Sequence, residues 1–181
     1  TPVFVYTNYP TAELFINGKS YGKQSKNNSS LKSRYRLMWM DAVYEPGEVK
    51  VVAYNKDGKA VAEKTVRTAG KPHHIELVSN RNELTADGKD LAYVTVKVVD
   101  KDSNLCPTDS RLIHFSVKGA GKFRAVANGD PTNLEQFHLP KMHAFHGMLT
   151  AIVQAGEIAG DLVLTAKASG VKTGTVHLQA K

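Results

Sequence analysis

Apolar residues recur at every second position along most of this chain, and long stretches with the 3.6-residue helical period are missing. In GEVKVVAYNKDGKAVAEKTVRT, Val49, Val51 and Ala53 fall on one face of an extended segment, and Lys50, Val52 and Tyr54 on the other. LAYVTVKVVD sets Val94, Val96 and Val98 on one face, RLIHFSVKG does so with Ile113, Phe115 and Val117, and GDLVLTAKASG with Leu162, Leu164, Ala166 and Ala168. No helical pattern is long enough to cover a sheet, so each sheet must bury its apolar face against another sheet.

Turn residues punctuate this pattern. Asn17-Gly18 and Asp57-Gly58 are pairs that accept positive φ, and both predict two-residue hairpins. ADGKD, DKDSN and KGAGK recur at the short spacing of an antiparallel sandwich. The fold class expected is all-β: two immunoglobulin-like antiparallel β-sandwich modules in tandem. The boundary falls in TAGKP, residues 68 to 72, where Gly70 and Pro72 suit neither strand nor helix. That gives a first module over 1–69 and a second over 70–181. The first is small for a sandwich and opens on a strand, so it is expected to lack an upstream strand or to lean on a neighbour.

With 41% hydrophobic and 23% charged residues, the chain has the composition of a folded domain. The formal charge of +7 raises the question of a polyanion, but the basic residues are scattered. Even the densest run, KNNSSLKSRYR, interleaves Lys26, Lys32, Arg34 and Arg36 with a single tyrosine, Tyr35. Phosphate tracking needs cations gathered on one face, so no nucleic-acid partner is expected. No segment has the roughly 18 apolar residues of a membrane span. Cys106 is the sole cysteine, which excludes an internal disulfide and a cysteine zinc cluster; a buried or half-buried thiol is the expectation.

The segment VANGDPTNLEQFHLPKMHAFHGMLTAIV, residues 126 to 153, concentrates the polar chemistry. Asp130 and Glu135 could form the carboxylate pair of a glycosidase, but on a loop with no apolar pocket predicted to raise one pKa. His138, His143 and His146, with Asp130 as fourth ligand, have a spacing that a loop could fold around a divalent ion. The competing reading is a turn, with Gly129 permitting the bend and Asn128 and Asp130 bonding to backbone. His73-His74 opens a strand, where neighbours point to opposite sides, and reads as interdomain packing. Trp39, Tyr35 and Tyr9 are the candidate sugar platforms, since a pyranose presents apolar faces, although a strand tryptophan is more often core. No cofactor is expected.

Several separate strings, ELFINGKS, YEPGEVKVVAY, LTADGKDLAYVTV and VANGD, resemble in order the C-terminal portion of bacterial glycoside hydrolase family 2 enzymes, the β-galactosidase group. The resemblance covers essentially the whole chain. It implies an accessory region: the two catalytic glutamates of such enzymes stand on an upstream (β/α)8 barrel, about 5 Å apart in retaining hydrolysis, and neither can be assigned here. The partner implied is that barrel, with a homodimer contact or a glycan as further options. The segment itself is expected to be inactive, and the location implied is periplasmic, cell-surface or secreted. The alternative functions are a carbohydrate-binding module using exposed aromatics, and an adhesin-type repeat supported by fold alone.

Overall fold

A computed structural model describes residues 1–181. The chain contains strands and no helix, and it divides into two compact units, Thr1–Thr68 and Ala69–Lys181.

In the first unit β1 (Val3–Val5), β2 (Thr11–Ile16), β3 (Lys19–Ser25), β4 (Leu37–Trp39), β5 (Glu48–Tyr54) and β6 (Ala60–Arg67) form two sheets, ordered β1-β4 and β3-β2-β5-β6. Strand β2 shows how the sequence does this. In TAELFI the small and aliphatic Ala12, Leu14 and Ile16 are buried while Thr11, Glu13 and Phe15 are not, which is the period-two pleat of a sheet with one covered face. Those three side chains meet Leu37, Trp39, Ala42 and Ala53 in a small core.

The second unit holds β7 (His74–Ser79), β8 (Glu83–Leu84), β9 (Leu91–Val99), β10 (Leu112–Gly119), β11 (Gly121–Ala127), β12 (Lys141–His143), β13 (Met148–Ala155), β14 (Gly160–Lys167) and β15 (Gly174–Ala180). Their sheets run β12-β10-β14-β15-β8 and β11-β13-β9-β7. Every pairing is antiparallel apart from β8 with β15. Val94, Val96 and Val98 from one sheet and Ile113, Leu162, Leu164 and Ala166 from the other are fully buried in one shared core. At about 1.5–3 kcal/mol for each large aliphatic side chain taken out of water, this core is the main source of the unit's stability. The all-β sandwich architecture expected from the alternation is what the chain adopts.

The two hairpin signals resolve differently. Asn17 and Gly18, at φ 48° and 80°, close the β2–β3 hairpin as a two-residue turn, with Ile16 paired to Lys19. The Asp57-Gly58 pair does not. Only Gly58 (φ 77°) is left-handed, and the connection is longer, because the Asn55 side chain accepts the amides of Asp57 and Lys59 and builds its own turn. His73 lies just ahead of β7, so it escapes strand alternation: its ring meets His74 edge-on, with the two Nδ1 atoms 3.0 Å apart.

Candidate functional site

The polar loop between β11 and β12 is a chain of side-chain-to-backbone hydrogen bonds. Asn128 Oδ1 accepts the Asp130 amide at 3.1 Å, across a turn that Gly129 permits with φ 79°. Asp130 Oδ1 accepts both the amide and the hydroxyl of Thr132 at 2.8 Å, and Asn133 Oδ1 accepts the Glu135 amide at 3.0 Å. Glu135 then reaches across to β12, accepting the His143 amide at 3.1 Å and His143 Nδ1–H at 3.0 Å. Asn128 Nδ2 closes the circuit on the His143 carbonyl.

This wiring explains why the metal set is not assembled. His143 directs Nδ1 at Glu135, and His146, held at φ 51° with its ring against Phe145, directs Nδ1 at the Pro107 carbonyl. No three His, Cys, Asp or Glu side chains of the chain converge as a metal group, so His138, His143, His146 and Asp130 do not form the ligand set that their spacing suggested. The same wiring disfavours acid chemistry at Asp130. Its carboxyl sits below the usual range because the Thr132 amide and hydroxyl donate to the ionised form.

The same direction recurs at five other carboxyls. Glu13, Asp87, Asp90, Asp100, Asp109 and Asp130 are all displaced downward. For Asp100 the main cause is the Gly70 amide, and for Glu13 the Ser20 hydroxyl. For Asp109 burial works upward, but the Arg111 guanidinium and backbone amide together outweigh it, with Arg111 Nη2 2.6 Å from the carboxylate. A glycosidic general acid needs the opposite displacement. Cys106 is buried, and burial, with the charges of Asp100 and Asp109, pushes its thiol up.

The aromatic candidates separate. Trp39 is 1% exposed and donates its indole N–H to the Gly22 carbonyl at 3.0 Å, so it is core and presents no face to a sugar. Burying the ring closes a small unit that has few other large apolar side chains. Tyr35 is 68% exposed and lies with Tyr6, Thr7, Asn8 and Lys26 around a surface cleft of about 420 Å³. Tyr9 stands outside that lining, its amide bonded to Thr7 Oγ1. Lys26 Nζ donates to the Thr7 carbonyl, tying the segment after β3 to the one after β1. Two phenol rings beside an amide, a hydroxyl and an ammonium could stack on a pyranose and bond to its hydroxyls. Sequence reasoning missed Tyr6 and Asn8, for which the signal available was the aromatic and polar run VYTNYP, and took Lys26 only as one cation of a scattered basic run.

Comparison with known proteins gives this geometry a context. The pattern of glycoside hydrolase family 2 C-terminal domain 5 matches residues 75–177. The chain belongs to that family. A second pattern, a domain of unknown function (DUF4982), matches residues 1–62. Beta-galactosidase BoGH2A from Bacteroides ovatus is 41% identical over 176 residues, which make up 97% of this chain and 20% of that protein. A beta-glucuronidase from Formosa agariphila is 26% identical over 98% of this chain and 18% of its own length. The chain therefore spans about a fifth of the curated relatives it matches. Among solved structures, a beta-glycosidase from Bacteroides vulgatus matches with a TM-score of 0.91 and 28% identity, over 99% of this chain and 22% of that one. A family 2 glycosyl hydrolase from Bacteroides cellulosilyticus matches with a TM-score of 0.87 and 32% identity, over 99% and 23%.

Proposed function

We propose that this chain is the non-catalytic accessory region of a family 2 glycosidase, bracing a catalytic barrel or a subunit contact of the same enzyme. The observation that carries the reading is the match to a C-terminal domain of that family over a chain one fifth as long as its curated relatives. The local chemistry agrees with it: the displaced carboxylates serve turns and hairpins and are held ionised, as structural groups are. The enzyme would act on β-galactosides, which the 41% identical relative's name favours over the glucuronidase reading of a more distant one. Its location would be the periplasm or the cell surface. The test is to assay the 181-residue chain against nitrophenyl β-galactoside and β-glucuronide. No turnover above a buffer blank is expected; turnover abolished by Asp130→Ala would overturn the reading.

The Tyr6–Tyr35 cleft favours a second reading, a glycan-binding surface. Calorimetric titration with a panel of oligosaccharides tests it. Heat that disappears in Tyr35→Ala supports binding, and silence across the panel removes it. Tryptophan quenching is the wrong probe, because Trp39 is sealed in the core.

A further inference from the structure

The two sheets of the first unit are unequal, two strands facing four, and the mismatch leaves a groove. Strand β6 pairs with β5 so that Val66 stands opposite Val49, Lys64 opposite Val51 and Ala62 opposite Ala53. Cross-strand partners share a face. Val49, Val51 and Ala53 point to the core, so Ala62, Lys64 and Val66 point the same way. Yet β6 is exposed along nearly its whole length, and Val66 is 63% exposed. The facing sheet stops one strand short: β1 pairs with β4 on one side and has no strand on the other. Between the free edge of β1 and the bare inner face of β6 lies a groove of about 390 Å³, floored by Val49, Val51, Ala53 and Val66 and walled by Val3 and Val5.

A free edge beside an apolar floor is a template for an added strand. Edge N–H and C=O groups supply the hydrogen bonds, and the floor takes alternate side chains. We infer that this groove receives an extended segment of the same polypeptide, lying outside these 181 residues, which pairs with β1 and completes the smaller sheet. Three observations select that occupant. Val3 and Val5 of β1 and Ala62 and Val66 of β6 line the same groove, so a strand added beside β1 at the usual spacing of about 4.8 Å enters the space above Val66. The relatives carry about four-fifths of their length outside the matched region, so polypeptide to fill the groove belongs to proteins of this kind. Lys64, an inward-facing charge on the edge strand β6, is the kind of residue that discourages edge-to-edge association with a second copy. The segment fitting this site is short and extended, with apolar residues at alternate positions. The inference rests on the accessory-region reading, since it needs the longer enzyme.

The test compares maleimide labelling of Val66→Cys in the 181-residue chain and in the full-length enzyme. Cys106 is buried and serves as the internal control. In the short chain position 66 is expected to label freely at every protein concentration. In the full-length enzyme labelling should slow by about tenfold or more, and hydrogen exchange at the Val3–Val5 amides should slow with it. Equal labelling in both proteins overturns the proposal. So does protection that appears in the short chain as its concentration rises, because the occupant is then a second copy. Hydrogen exchange in the unsubstituted proteins gives the same comparison should the variant fold poorly. Failure of the parent reading shows separately, as glycoside turnover by the short chain.

Discussion

The carboxylate of Asp100 accepts the backbone amide of Gly70 at 2.7 Å, joining the segment that leads into β7 to the end of β9. Asp100 is 3% exposed and also accepts the amides of Asp102 and Asn104 at 2.9 Å and the Asn104 side-chain amide. One carboxylate thus organises the DKDSN turn and fastens the entrance of the second unit.

Asp100 should make the second unit sensitive to acid. Its donors hold the folded carboxyl well below the unfolded value of about 3.9. A depressed folded pKa gives stability that is present above the unfolded pKa and is lost as pH falls toward the folded one. The Tm gap between the natural protein and Asp100→Asn should be constant above about pH 5 and shrink progressively below about pH 4. A gap that does not change down to pH 3 would contradict this.

Trp39→Ala should cost the first unit about 3–5 kcal/mol, the range for emptying a large aromatic site. A unit of 68 residues has little stability in reserve. Circular dichroism should show partial loss of β signal, with the second unit retained. Trp39→Phe should cost less than the alanine change but more than lost area alone, because it leaves the Gly22 carbonyl without its indole donor.

Cys106 should be inert in the folded protein. Burial keeps the thiol protonated at neutral pH, and the thiolate is the reactive form. Labelling by a thiol reagent should be slow in native conditions and complete on unfolding in denaturant. Fast native labelling would mean that the β9–β10 connection opens readily.

Added zinc and added chelator should both leave Tm unchanged, because His143 and His146 direct their Nδ1 atoms to Glu135 and Pro107. By contrast Glu135→Ala should loosen the loop against β12, seen as faster exchange of the His143 amide, since that variant removes both of its bonds to His143.

The sandwich class was legible in the sequence because period-two burial is a local property. Val94, Val96 and Val98 declare one covered face whatever they pack against, and Asn17-Gly18 closes its turn from its own φ preferences. The family was legible too, from several strings in a fixed order. The sites were not. Trp39 has the same residue type whether it faces a sugar or a core, and only the meeting of β4 with β2 and β5 made it core. The histidine spacing was compatible with a metal until Glu135 of the β11–β12 loop took the His143 ring and the Pro107 carbonyl took that of His146. The groove beside β1 depends on how many strands each sheet receives, which is a count over pairings distant in sequence. Local pattern fixes which face of a strand is apolar; which neighbour covers that face is set by long-range pairing, and only the tertiary structure decided it.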